Sequence, residues 1–196
     1  MNQTALLVID VQNIYADPQS PLFVRDFDES LGRINQLARG FAAAGRPVIY
    51  VRHAHRADGR DAGRMFDFTG SAEEIDFVEG SVGVEYVPGL EVVPGALHIT
   101  KRRYSCFEGT ELEAILRSLA VNTVAVCGYM TNFCCETTAR VAHDRDYFVD
   151  FIVDATGAPD LADDYRQKDI RRVVGLTLAG GFARICDAET YLEAMR

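Results

Sequence analysis

Residues 124–140 read "VAVCGYMTNFCCETTAR": an apolar run, a glycine, a short polar turn, then residues at helical spacing. A run of this length bounded by glycine reads as a buried strand that delivers the chain into a helix. Thr131 or Asn132 is a natural N-cap, which predicts a helix over about 131–145 with Cys134 and Cys135 in its first turn. Cys135, Ala139 and Ala142 then share one face, suited to packing on a sheet, while Cys134 is aimed at whatever lies beyond the strand end.

Outward from this unit the same alternation continues. "TALLVID" (4–10) is a nearly continuous apolar run ending in a carboxylate, as a buried parallel strand reads. Leu31, Ile34, Ala38, Phe41 and Ala42 mark a helix over 28–44, stopped by Gly45 and Pro47. Strands follow at "PVIYVRH" (47–53) and "ALHIT" (96–100), and Leu112, Ile115, Leu116 and Leu119 mark a helix. Beyond the strand at 122–128, the pattern predicts strands at 147–154 and 183–187, a helix over 163–179 and a short terminal helix. This implies an α/β fold, a mostly parallel sheet with helices on both faces, in one domain over residues 1–196. Residues 54–95 are rich in Gly and acids, long for a connection, and read as a lid or an interface, with Phe66 and Phe68 exposed there.

Bulk composition narrows the function. The chain has 196 residues, 48% hydrophobic and 25% charged, ordinary for a globular protein. A formal charge of −9 argues against a nucleic-acid partner and against anionic membranes. No apolar run approaches the ~18 residues of a membrane span. The N-terminus shows no signal-peptide pattern, and five cysteines are an odd number. Reduced thiols in a cytoplasmic protein are therefore expected.

In parallel-sheet folds ligands sit beyond the carboxyl ends of the strands. The residues there are Asp10, Arg52 or His53, Lys101, the 128–134 segment, Asp154 and Asp187. A structural zinc site needs ligands paired about two to four residues apart, and Cys127 and Cys134 are not so spaced. No cysteine pair has the two-residue gap of a dithiol redox motif. A nucleophile remains: the free N–H groups and dipole of a helix start lower a thiol's pKa and can receive an oxyanion. The competing reading is two buried small hydrophobes, the usual fate of free cysteine. Asp10 and Lys101, ending strands at the same sheet edge, tip the choice: the carboxylate serves as general base and acid, and the lysine holds it ionised.

Three segments, "LLVIDVQNIY" (6–15), "KRRYSCFEGTELEAIL" (101–116) and "CGYMTNFCCETTARVAHDRDY" (127–147), resemble the isochorismatase-like hydrolase superfamily, which includes nicotinamidases, N-carbamoyl amidohydrolases and ureidoacrylate hydrolases. The resemblance implies a three-layer α/β/α sandwich with a six-stranded parallel sheet in the order 3-2-1-4-5-6. It implies a catalytic triad of Asp10, Lys101 and Cys134, with Cys135 at a position usually held by Val and Cys106 as small packing. It further implies a cis Tyr129–Met130 peptide and an oxyanion hole from the Met130 and Cys134 amides. Asn13, Tyr15, Tyr104, Phe107, Tyr129 and the 54–70 loop become pocket candidates. A homo-oligomer, dimer or tetramer, is implied as well.

Nicotinamidases carry an Asp-x-His metal motif at the end of strand 2, where this chain has "VRHAHR". His53 and His55 lack the carboxylate, so neither a metal nor a cofactor is expected and the pair reads as a polar rim. The activity implied is hydrolysis of a small amide, carbamoyl or ureido compound through a thioester. The alternatives are a vinyl-ether hydrolase that does not rely on the cysteine, and a non-catalytic thiol sensor built on Cys134 and Cys135.

Overall fold

Residues 3–65 and 77–195 are described by the structure, a computed structural model. Strand β1 (Thr4–Ile9) occupies the middle of the sheet, with its side chains completely or almost completely buried. Successive side chains of a strand point to opposite faces, and β1 shows it. Leu6 and Val8 enter one apolar layer, with Ile34, Leu37 and Phe41 of α2 (Phe27–Ala43) and Tyr191 of α6 (Ala188–Ala194). Ala5, Leu7 and Ile9 enter the other, with Leu112 and Leu116 of α3 (Leu112–Ser118), Ala139 and Ala142 of α4 (Glu136–Asp144), and Ile170, Val174 and Leu178 of α5 (Gln167–Ala179). Burying both faces stabilises each large side chain by roughly 1.5–3 kcal/mol, which is why β1 carries no polar side chain between Ala5 and Ile9.

The remaining strands are β2 (Val48–His53), β3 (Leu97–Lys101), β4 (Thr123–Tyr129), β5 (Phe148–Gly157) and β6 (Arg184–Cys186). All pairings are parallel, in the order β3-β2-β1-β4-β5-β6. The order reverses between β1 and β4, so a crevice opens at their carboxyl ends. Helix α1 (Asn13–Ala16), absent from the sequence pattern, is a single turn immediately after β1. No described helix is long and apolar enough to cross a membrane.

Two boundaries depart from expectation. Strand β5 runs on to Gly157 because a register shift between Val126 and Gly128 lets it re-pair with the end of β4. The expected helix over 131–145 divides into a π-turn, Thr131–Cys135, and α4, with Met130 rather than Thr131 or Asn132 at the cap position. The Thr131 hydroxyl donates to Thr156 Oγ1 instead, at 2.9 Å. Residues 77–95 hold one 3₁₀ turn, Val82–Val84, and are stitched to β1 and β2 through bridges Gln12–Tyr86 and His55–Val78. Phe66 and Phe68 lie outside the described residues.

Candidate active site

Asp10 follows β1 in a left-handed conformation (φ 52°), held by its amide donating to the Val51 carbonyl at 2.8 Å. Asp tolerates that region better than most residues. Lys101 closes β3, and Cys134 lies in the π-turn after β4. All three are buried. The Lys101 ammonium lies 2.8 Å from Asp10 Oδ2 and donates to Cys134 Sγ at 3.1 Å and to the Arg103 carbonyl at 3.1 Å. Neither Asp10 oxygen meets a donor at good hydrogen-bond angles among the described residues, although the Cys134 thiol and the His53 amide stand nearby.

Burial sets the protonation states. It raises Asp10 above the ordinary 3.8, and Lys101, the Cys134 thiol and the His53 amide offset only part of that. For Lys101 burial acts downward, but Asp10 and then Cys134 outweigh it and hold the ammonium charged. Burial pushes the Cys134 thiol well above 9.0; Lys101 opposes this and Asp10 adds to it. The lowered thiol pKa expected from a helix start is therefore corrected: the segment is a π-turn, and dehydration dominates.

The backbone around β4 is shaped for close approach. The Tyr129–Met130 peptide is cis, and the Met130 carbonyl accepts from the amides of Phe133 (3.2 Å) and Cys135 (3.1 Å). Gly128 has φ +115°, and a Cβ there would collide with the carbonyl oxygen of Ile9. Only glycine lets β4 run so near the end of β1.

The aromatic candidates separate. Tyr15 is buried beside the triad, its ring stacked on Tyr129 (centroids 5.4 Å apart) and next to Phe77 (6.1 Å). Tyr104 packs on Phe133 at 5.3 Å and donates to the Met65 carbonyl at 2.9 Å, so it ties the 54–65 loop over the site. Tyr129 also stacks on Phe27 at 5.0 Å, and its hydroxyl meets Ser30 Oγ at 2.7 Å, in the same α2 layer as Tyr15. Phe107 packs on Tyr147 at 5.8 Å under the Arg145 guanidinium, in the opposite layer. Asn13 turns outward and donates to the Val82 carbonyl at 2.9 Å. Cys135 is buried against the sheet with Ala139 and Ala142, and Cys106 is buried in the same layer.

Other strand ends serve the fold. Asp187 caps α6 by accepting from the Thr190 amide at 2.8 Å, Asp154 pairs with Arg33 at 3.0 Å, and Arg52 reaches Glu85 at 3.4 Å. Sequence reasoning missed Gln12, which is buried inside the quoted "DVQN". Its amide donates to the carbonyls of His53 (2.9 Å) and Val84 (2.7 Å) and accepts from the His53 amide (3.0 Å), clamping β2 and the 3₁₀ turn to β1.

His53 Nε2 and His55 Nε2 meet at 2.7 Å, and burial holds both rings below their ordinary pKa, so they are neutral. Phe77 stacks on His53 at 4.5 Å, and Asp61 meets the far nitrogen of His55 at 3.4 Å. Among the described residues no third ligand joins the pair. The group whose ligand atoms do converge, within 4.8 Å, is Asp10, His53 and Cys134, two of which are candidate catalytic residues.

Comparison with known proteins agrees with this architecture. The isochorismatase domain profile matches residues 4–190. Nicotinamidase 3 of Arabidopsis thaliana is 31% identical over 185 residues, spanning 94% of this chain and 85% of that protein. A ureidoacrylate amidohydrolase, RutB of Methylobacterium radiotolerans, is 32% identical over 171 residues, 78% of this chain and 66% of that one. The crystal structure of a cysteine hydrolase from Pseudomonas syringae pv. phaseolicola superposes with a TM-score of 0.88 at 32% identity, covering 98% of this chain and 92% of the other.

Proposed function

The chain belongs to the isochorismatase family, and from that premise we propose that it is a cysteine-dependent amidohydrolase cleaving a C–N bond of a small amide, carbamoyl or ureido substrate. The observation that carries the reading is Lys101, buried and within 3.1 Å of both Asp10 and Cys134. A cation so placed favours negative charge on whichever of the two holds it, so a proton can pass from thiol to carboxylate without leaving the site charged in an unbalanced way. The named activities of the nicotinamidase and ureidoacrylate relatives support the same bond type.

In this mechanism Asp10 takes the Cys134 proton as sulfur attacks the substrate carbonyl. The amides of Met130 and Cys134 stabilise the tetrahedral oxyanion. Asp10 returns the proton to the leaving nitrogen, the C–N bond breaks and a thioester remains. Asp10 then deprotonates a water that attacks the thioester; the acid departs, and Cys134 recovers its proton from Asp10. A thiol whose pKa is raised by burial makes the first transfer unfavourable until the carbonyl is in place, which protects the nucleophile between turnovers. Ammonia release from a panel of small amides and ureides, with native protein, Asp10→Asn and Cys134→Ala, tests the reading. Ammonia release that survives Cys134→Ala sinks it; the vinyl-ether alternative would instead show C–O cleavage of an enol ether that persists in Cys134→Ala, with no ammonia from the amide panel.

A further inference from the structure

The Lys101 ammonium has three N–H donors and meets three acceptors: Asp10 Oδ2 at 2.8 Å, Cys134 Sγ at 3.1 Å and the Arg103 carbonyl at 3.1 Å. The first two exchange protons in the proposed reaction, so only the third is a fixed point. Yet β3 ends at Lys101, its last paired residue, and no ladder bond sets where the Arg103 carbonyl lies. Lysine carries much rotamer freedom, and a drifting third acceptor would let the ammonium swing away from the other two.

The Arg103 side chain supplies what the ladder does not. Its Nη1 donates to the carbonyls of Asp61 (2.6 Å) and Ala62 (3.2 Å) on the 54–65 segment, and to the Arg102 carbonyl (2.6 Å) in its own turn. Among the described residues this guanidinium meets no carboxylate, so it grips main chain rather than balancing charge. The neighbouring Arg102 does the reverse, pairing with Asp61 at 2.7 Å and Glu79 at 2.9 Å. The Asp61 carboxylate also accepts from the Arg56 amide at 3.1 Å, so Arg103 grips a turn that is itself anchored. Gly63 completes the seat, because a Cβ there would come within 2.6 Å of the Arg103 guanidinium.

We propose that Arg103 is a positioning residue: by tying its turn to the carbonyls of Asp61 and Ala62 it holds its own main-chain oxygen as the third acceptor of Lys101, and so keeps the ammonium between Asp10 and Cys134. The inference rests on the reading of Lys101 as part of the reacting group and adds the residue that aims it. Arg103 acts through its carbonyl on Lys101 and is assigned no contact with substrate.

The test follows iodoacetamide labelling of Cys134 at about pH 8 by peptide mass spectrometry, in native protein, Arg103→Ala and Arg102→Ala. Lys101 favours the Cys134 thiolate, so an ammonium that strays slows alkylation, whereas a turn that merely loosens exposes the thiol and speeds it. Arg102→Ala removes the same charge and frees the same segment without touching the carbonyl on Lys101. The expected result is labelling roughly fivefold slower in Arg103→Ala, the loss of about one hydrogen bond, with Arg102→Ala close to native. Gly63→Ala, which displaces the guanidinium with Arg103 still present, should slow it as well and serves if Arg103→Ala does not fold. Buried Cys127, unlabelled throughout, confirms that each protein stays folded. An unchanged or faster rate in Arg103→Ala, or equal slowing in Arg102→Ala, overturns the proposal. On any amide or ureide that the native protein hydrolyses, Arg103→Ala should lower kcat at unchanged KM; a raised KM at unchanged kcat overturns it. If the native protein releases ammonia from none of them, the amidohydrolase reading fails, while the labelling comparison still decides Arg103.

Discussion

Lys101 Nζ lies 2.8 Å from Asp10 Oδ2 although β2 separates the strands that carry them. The reach comes from the side chain: four methylenes cross the end of β2 inside the protein, and the ammonium arrives between carboxylate and thiol. Replacing Lys101 with Met keeps most of the volume and removes the charge. Breaking a buried pair from one side costs roughly 3–5 kcal/mol. Asp10, with its carboxyl already raised by burial, would then take up a proton on folding, so the penalty grows as pH rises. Urea unfolding should show a larger loss at pH 8 than at pH 5, and kcat should fall at least about a hundredfold.

Cys134 should be a slow thiol at rest. With burial holding it protonated, iodoacetamide labelling read by peptide mass spectrometry should climb toward the alkaline end of a series from about pH 5 to 9. Full labelling by about pH 6 would mean a preformed thiolate and contradict the dehydrated site.

Buried thiols also make the fold alkali-sensitive. Burial raises Cys127 above 9.0 and pushes Cys106 up to about 12. A group whose pKa is higher folded than unfolded stabilises fully below the unfolded value and loses that contribution as pH climbs past it. Each such thiol should therefore cost about 1.4 kcal/mol per pH unit above pH ~9. Denaturant titrations at pH 8, 9 and 10 should show the decline, and Cys127→Ala should make it shallower.

Gly128→Ala places a methyl against the Ile9 carbonyl at φ +115°. The combined strain and overlap should cost about 3 kcal/mol or more, read as a lowered urea midpoint or as loss of soluble protein. Gly45→Ala supplies the contrast, since its positive φ meets open space and only the backbone term applies.

Zinc should inhibit rather than activate. His53 and His55 gather no third ligand among the described residues, whereas Asp10, His53 and Cys134 would trap the ion on the nucleophile. Activity kept after EDTA and lost with added ZnCl₂ is the expected pair of results; activation by zinc would contradict it.

Much of the architecture was legible because buried parallel strands write themselves as apolar runs. β1 and β4 are such runs, and each ends in the residues that build the crevice, Asp10 and the 128–134 segment. The aromatic candidates were less legible. Tyr15 and Tyr129 both flank the strand ends, and their stacking on each other in the α2 layer joins residues far apart in the chain, which no local pattern announces. Phe107 lies in the other layer, with Cys134 and Cys106.

The sequence by itself determined the strand order implied by its motifs, and the three residue types that converge: their spacing follows from local periodicity and from where each strand must stop. Only the tertiary structure decided their protonation and the π-turn in place of a capped helix start. Those depend on burial and on partners distant along the chain, and neither is a property of any local stretch.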